Sequence, residues 1–486
     1  MNHKGTMPLP QSFVSFVFLW FDYLYVGKGC AAFLLLYFLI MQDLVRMESK
    51  LIILYNCNAL MRLLKVSLEK GRSRMDNQQI CGPLGPVDEE LIIKTCQELV
   101  QIPSYTGQEQ EIADLLVEKM LALGYDSAWI DGVGNVIGEI RGNHPGPKVL
   151  FDSHIDTIPV SGTEIWIHDP FEGLVENGRM YGRGVVSMKG ALSAMICGLA
   201  PLIQYKDKLS GSVFVSGTVG KEQFEGLAFR QVIQVMKPDY VIVGEASDLA
   251  ICYGQRGRAQ VIVMTKGKAA HSAVPLAGKN ASDMMLNLVA EIKKQTTFSV
   301  SSLGQGSLEL VSIASAPSPG SSTVPHTCWA TFDRYMVQDE LEADILQPIH
   351  RAIAVLQHQD ADFSAEVGIA ESGLECYTGQ YLSGKRFFPG WILSPEHELV
   401  SGAQQALGKA GFTPALSTYT ISTNASYSAA IANVPTIGFG PGCEKDMHIA
   451  DENLKVNQLT AAAAGYQAIA CQFLLTKEQE SSERWR

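Results

Sequence analysis

The sequence predicts an α/β fold: a mixed sheet flanked by helices, interrupted by a smaller α+β unit. Three observations predict it. Short apolar runs, Val149-Leu150-Phe151, Val213-Phe214-Val215 and Tyr240-Val241-Ile242-Val243, alternate with helical stretches, as in sheets with helices on their faces. Between about residues 256 and 370 the order changes to strand, helix, strand, strand, helix, strand, the split-βαβ plan. Polar motifs fall just past the ends of the apolar runs, where open α/β sheets bind ligands.

Taken in order, residues 88–124 carry helical periodicity: Leu91, Ile92, Cys96, Leu99 and Val100, then Ile112, Leu115, Leu116, Met120 and Leu123. Ser104-Tyr105-Thr106-Gly107 separates two helices with turn chemistry. The three strand runs follow. In the α+β unit, Gln260–Lys266 reads as a strand, Ala281–Ile292 as a helix, Ser307–Ile313 and Cys328–Arg334 as strands, Leu341–Leu356 as a helix and Phe363–Ile369 as a strand. The main sheet resumes near residue 372 and ends in a helix over Leu459–Leu475. The domain plan is therefore 80–255, the inserted unit 256–370, then 371–476, with a solvated tail at 477–486.

Composition narrows the function classes. An apolar content of 47% against 18% charged residues suits a large packed core rather than disorder. A net charge of -12 argues against a general nucleic-acid surface, which is basic. Ten cysteines without a C-x-x-C pair offer neither a zinc ribbon nor a disulfide framework, and read as free thiols of a reducing compartment.

Residues 1–74 form a distinct apolar N-terminal segment. Phe13–Val26 and Cys30–Met41 are apolar, but Asp22 and Lys28 lie between or within them, and the second run falls short of the ~20 residues that span a bilayer. Three readings stay open: a membrane anchor, an interfacial helix pair, or a start-site artefact with translation beginning near Met75. The artefact is favoured because no membrane rule is met cleanly. A membrane is a partner only if residues 13–41 insert. In that case Arg46, Lys50, Arg62 and the basic residues after them keep the main domain cytoplasmic, as does the artefact.

Five motifs carry chemistry: Ser153-His154-Ile155-Asp156, the glycine-rich run Gly182–Gly190, Lys221-Glu222, Gly244-Glu245 and a late His448. On these residues, with His168-Asp169-Pro170-Phe171 in its proper place, the chain from about 88 to 475 resembles the zinc aminohydrolase and peptidase family of acetylornithine deacetylase, succinyl-diaminopimelate desuccinylase, aminoacylase and carboxypeptidase G. Gly254-Gln255-Arg256-Gly257-Arg258, Phe388-Pro389-Gly390-Trp391 and Ser422-Thr423-Asn424 look like its selenium-metabolism-linked hydrolase subgroup. The resemblance implies a zinc-peptidase-like catalytic domain with the βαββαβ unit as an inserted lid. It also implies up to two zinc ions, a homodimer through the lid, and a small N-acyl amino acid or dipeptide-like substrate.

Carried over residue by residue, His154 and Glu245 serve one metal and Glu222 and His448 the other, with Asp156 orienting His154 through its second ring nitrogen. His271 is the family's oxyanion donor, often across a dimer. Arg334 pairs a substrate carboxylate or makes a salt bridge; Asn424 donates to substrate or closes a turn. Two positions depart from the family. Ser187 replaces the bridging aspartate, and a neutral hydroxyl cannot share two oxygens between two dications. Lys221 replaces the general-base glutamate, and an ordinary lysine is a cation at neutral pH. Asp to Ser removes one negative charge and Glu to Lys changes two units, so the site is more positive by three charges, against metal binding. The favoured expectation is a family member with hydrolysis weak or lost, the alternative a pseudoenzyme that binds a small ligand or an active relative. Retained activity would need Lys221 desolvated far enough to act as a base.

Overall fold

The computed structural model describes residues 81–161, 165–318 and 322–475. The expected N-terminal segment and C-terminal tail lie outside the described residues. The first helix, α1 (Glu89–Val100), starts where Asp88 accepts from the Leu91 amide at 3.0 Å, and Glu89 and Glu90 sit in its first turn. Ile92, Cys96, Leu99 and Val100 recur on its buried face. Gly107, at φ +83°, turns the chain toward α2 (Gln110–Ala122).

The main sheet has nine strands. In chain order they are β1 (Ser127–Ile130), β2 (Val136–Arg141), β3 (His144–His154), β4 (Ser210–Thr218), β5 (Tyr240–Val243) and β6 (Ile251–Gln255), and later three short strands at 391–392, 416–419 and 436–438. Strands β3, β4 and β5 are mutually parallel around β3, and strand 436–438 continues the parallel set beside β5. β1 and β2 add an antiparallel edge beyond β4. That hairpin escapes the apolar pattern because a turn makes it: the Asp131 carboxylate accepts from the amides of Val133, Gly134 and Asn135. The second half of β3 is buried throughout, as parallel strands covered on both faces are.

Two long helices cover one face: α3 (Gly190–Leu199), wholly buried, and the C-terminal α8 (Val456–Leu474), packed against it. Residues 185–208 contain a window apolar enough to cross a membrane, but 83% of that window is buried inside the protein, which marks a core helix. The intervening helices are α4 (Phe229–Met236), α5 (Ala281–Gln295), α6 (Glu342–Gln359) and α7 (Glu398–Lys409).

The second sheet follows the order expected for the inserted unit: β7 (Gly257–Lys266), α5, β8 (Ser307–Ala316), β9 (Thr327–Met336), α6 and β10 (Ala365–Ile369). It is antiparallel, in the order β8-β9-β7-β10, and alternates buried with exposed residues along β7. Its inner face packs on α5 and α6 through Val261, Val263, Met285, Phe332 and Ile349, a core separate from that of the main sheet. Cys96, Cys197, Cys252, Cys328, Cys376, Cys443 and Cys471 are free thiols.

Candidate active site

The cluster is built where the parallel strands end. β3 delivers His154, and the chain turns back through Asp156. The His154 ring points Nδ1 at the Asp156 main-chain carbonyl, 2.8 Å away, with an Asp156 carboxylate oxygen at 3.4 Å. The carbonyl accepts the Nδ1 proton, which leaves Nε2 turned toward Ser187 and Glu222. The Asp156 carboxylate itself fastens two loops. It accepts from the amides of Lys221 at 3.0 Å and Glu222 at 2.9 Å, and from the Thr106 hydroxyl at 2.7 Å.

Ser187 sits on the tight turn before α3. Gly184, at φ +84°, permits that turn, and Glu452 holds it by accepting from the amides of Val186 at 2.9 Å and Ser187 at 3.2 Å. Glu452 is fully buried and paired with Arg183 at 3.1 Å, which also donates to the Ile449 carbonyl. One carboxylate thus ties the Ser187 turn to the segment carrying His448. The signal for it was its place four residues after His448, together with the arginine of Gly182-Arg183-Gly184.

Four side chains converge: His154 Nε2 lies 3.3 Å from Ser187 Oγ and 3.8 Å from Glu222 Oε1, Ser187 Oγ donates to Glu222 Oε1 at 3.3 Å, and His448 Nε2 meets the same oxygen at 2.9 Å. Burial pushes the Glu222 carboxyl up, but the Lys221 ammonium and the His448 hydrogen bond outweigh it and hold the group below the usual carboxylate range. Burial and the Lys221 ammonium pull the His154 imidazole down, while Asp156 and Glu222 overcome them and leave it raised. His448 carries the left-handed φ of +61°, rare for a side-chain-bearing residue.

Glu245 stands apart from this group. Its partner is Lys221, Nζ to Oε2 at 3.2 Å, and both side chains are buried. The contact is ionic rather than an aligned hydrogen bond, and Glu245 Oε1 has no hydrogen-bond partner. Burial pulls the Lys221 ammonium down, but the carboxylates of Glu245, Glu222 and Glu225 together raise it above its ordinary value. Lys221 therefore stays a cation and is no base.

The remaining candidates separate from the cluster. Asn424 is buried with its carboxamide committed: it donates to Asp152 and Thr218, both at 2.9 Å, and accepts from the Gly226 amide at 2.9 Å. Arg334 is buried against Glu340 and the Tyr335 carbonyl. For Asn424 substrate contact gives way to the structural role, because both its amide protons are already donated; Arg334 makes the salt bridge that was one of its two expectations. His271 lies exposed on the loop after β7, its Nδ1 accepting from the Ala273 amide at 3.1 Å.

These residues do not fit a two-metal centre. His154, Glu222 and His448 share one carboxylate oxygen, Ser187 offers a neutral hydroxyl at the bridging position, and Glu245 faces an ammonium. Among the described residues no group of three or more His, Cys, Asp or Glu side chains is arranged to hold a metal ion.

The sequence profile of Peptidase family M20/M25/M40 matches residues 150–472. The chain is 29% identical over 386 residues to the protein YgeY of Escherichia coli, covering 78% of this chain and 94% of that one. It is 25% identical over 386 residues to a succinyl-diaminopimelate desuccinylase of Cereibacter sphaeroides, covering 76% and 96%. The fold matches aminopeptidase PepT of Bacillus cereus with a TM-score of 0.62 at 20% identity, over 80% and 99% of the two chains. It also matches Bacillus subtilis YXEP, described as a dinuclear metal-binding peptidase, with a TM-score of 0.59 at 14% identity over 79% and 97%.

Proposed function

The chain belongs to peptidase family M20/M25/M40, and from that premise we propose a member whose metal-dependent hydrolysis is lost and whose cleft binds a small carboxylate- or amide-bearing ligand. The observation that carries this is the buried Lys221–Glu245 pair at 3.2 Å. The ammonium supplies the positive charge that a cation would bring to Glu245, and it cannot deprotonate water. Ser187 adds to the argument, because a neutral hydroxyl lends two dications no shared charge. The ligand class is that of small N-acyl amino acids or dipeptide-like compounds, by kinship with the deacylases and peptidases of the family.

In this proposal residues 80–255 and 371–476 form the ligand-binding domain and 256–370 a lid through which two copies pair, with His271 serving the partner's cleft. The protein works in the cytoplasm. A second role, as partner of an active relative, uses the same lid surface.

Metal analysis of the full chain is the deciding measurement. Less than stoichiometric zinc after dialysis against it, and no chelator-sensitive hydrolysis of N-acetyl amino acids, is the expected result. Ser187→Asp with Lys221→Glu should recover zinc binding and turnover by more than the two single changes together, since a general base contributes roughly 10²–10⁴ in rate only where the nucleophile is already held. Stoichiometric zinc with ordinary turnover in the unaltered chain overturns the proposal.

A further inference from the structure

Where the family carries an acid, this chain places a serine hydroxyl against a histidine. Ser187 Oγ is 3.3 Å from His154 Nε2 and equally far from Glu222 Oε1, the two groups that compete for its one proton, and His154 Nδ1 is held by Asp156, whose carbonyl accepts it at 2.8 Å and whose carboxylate stands 3.4 Å away. Nucleophile, base and orienting group are each within reach of the next, the arrangement that activates a hydroxyl on several unrelated folds. All three side chains are buried, and Ser187 is pinned through its own amide to Glu452, so the hydroxyl has a fixed position on a tight turn before a helix.

We propose that Ser187 is a metal-independent nucleophile toward small esters, with His154 as its base and Asp156 as the positioning residue. The proposal rests on the reading that this site holds no metal. Ser187 Oγ attacks the ester carbonyl carbon and its proton passes to His154 Nε2. The bond to the alcohol oxygen breaks, and the departing oxygen takes that proton from His154. Water then attacks the acyl-Ser187 ester, giving a proton to His154, which returns it to Ser187 Oγ as the carboxylic acid leaves.

The surroundings set the substrate class. The amides of Lys221, Glu222, Val186 and Ser187 are all bound to carboxylates, so none of them is free to stabilise a developing oxyanion. That leaves esters, with their better leaving groups, and disfavours amides. Ser187 is only 2% exposed, and the hydrogen-bond chain from it through Glu222 meets solvent at His448, 38% exposed.

The test incubates the full chain with 4-nitrophenyl acetate in the presence of EDTA and locates acetyl groups by tandem mass spectrometry. Acetyl on Ser187 is expected, absent in Ser187→Ala and moved to sulfur in Ser187→Cys. His154→Gln, checked by circular dichroism for an unchanged fold, should slow acetylation of Ser187 by about a hundredfold. No acetyl at Ser187, or equal acetylation in His154→Gln, overturns the proposal. Chelator-sensitive amide hydrolysis would instead count against the metal-free reading, so the two failures are distinguishable.

Discussion

The two sheets differ in how much charge they bury beside their apolar cores. Around the strand ends of the main sheet lie Glu109, Asp152, Asp156, Arg183, Lys189, Lys221, Glu245 and Glu452, all buried. The interior of the smaller sheet is mostly apolar, built from residues such as Val261, Val263, Met285, Phe332 and Ile349, with Arg334 and Thr265 the buried polar side chains on its strands. Buried charge costs several kcal/mol per ion unless paired, whereas apolar burial stabilises outright. The main-sheet region therefore spends stability on a preorganised polar cleft, and the smaller sheet is held by ordinary packing.

The contrast is broken most sharply at Lys221. Lys221→Ala leaves Glu245 buried and unpaired, and should destabilise by about 3–5 kcal/mol in chemical denaturation. Pairing Lys221→Met with Glu245→Leu should recover most of that loss, because an apolar pair needs no charge compensation. If the single change proves nearly neutral, the ion pair is not what holds the cleft.

Glu109 sharpens the same comparison through pH. Burial, and then the neighbouring Asp156 carboxylate, raises its acid group from an ordinary 4.5 to about 8. The folded protein thus holds this proton more tightly than the unfolded chain. The resulting stability is complete below about pH 4.5 and is lost as pH rises through about 8. Glu109→Gln, which keeps the neutral form, should flatten this decline by up to ~5 kcal/mol when melts at the two ends of that window are compared. An unchanged slope would show that Glu109 ionises freely.

In the smaller sheet the effects shrink. Ile349→Val, at a fully buried position, should cost about 1 kcal/mol with no pH dependence over that window. Trp329 points to the outer face and is 38% exposed, so Trp329→Ala should change the stability of the monomer by less than about 0.5 kcal/mol. A larger loss at raised protein concentration would mean that this face is covered by a second copy.

Much of the fold was legible along the chain, for a physical reason. Periodicity reports burial over a few residues, and it marked α1, α2, the parallel strands and the whole βαββαβ order. It missed the β1–β2 edge, where Asp131 makes the turn, and the short strands 391–392 and 416–419, too brief to show a period. The site was legible as a set of positions: of the four read as ligands, His154, Glu222 and His448 meet around Ser187, while Glu245 pairs with Lys221 instead.

The sequence by itself determined which residue types stand at the strand ends, and hence that a serine and a lysine replace two acids there. Only the tertiary structure decided the partners. Lys221 chooses Glu245 over its neighbour Glu222, Asn424 and Arg334 are consumed by internal bonds, and Glu452 emerges as the tie between two loops. The reason is that a buried polar group must find a partner within about 3 Å, and chain order carries no record of which distant donor or acceptor folding brings there.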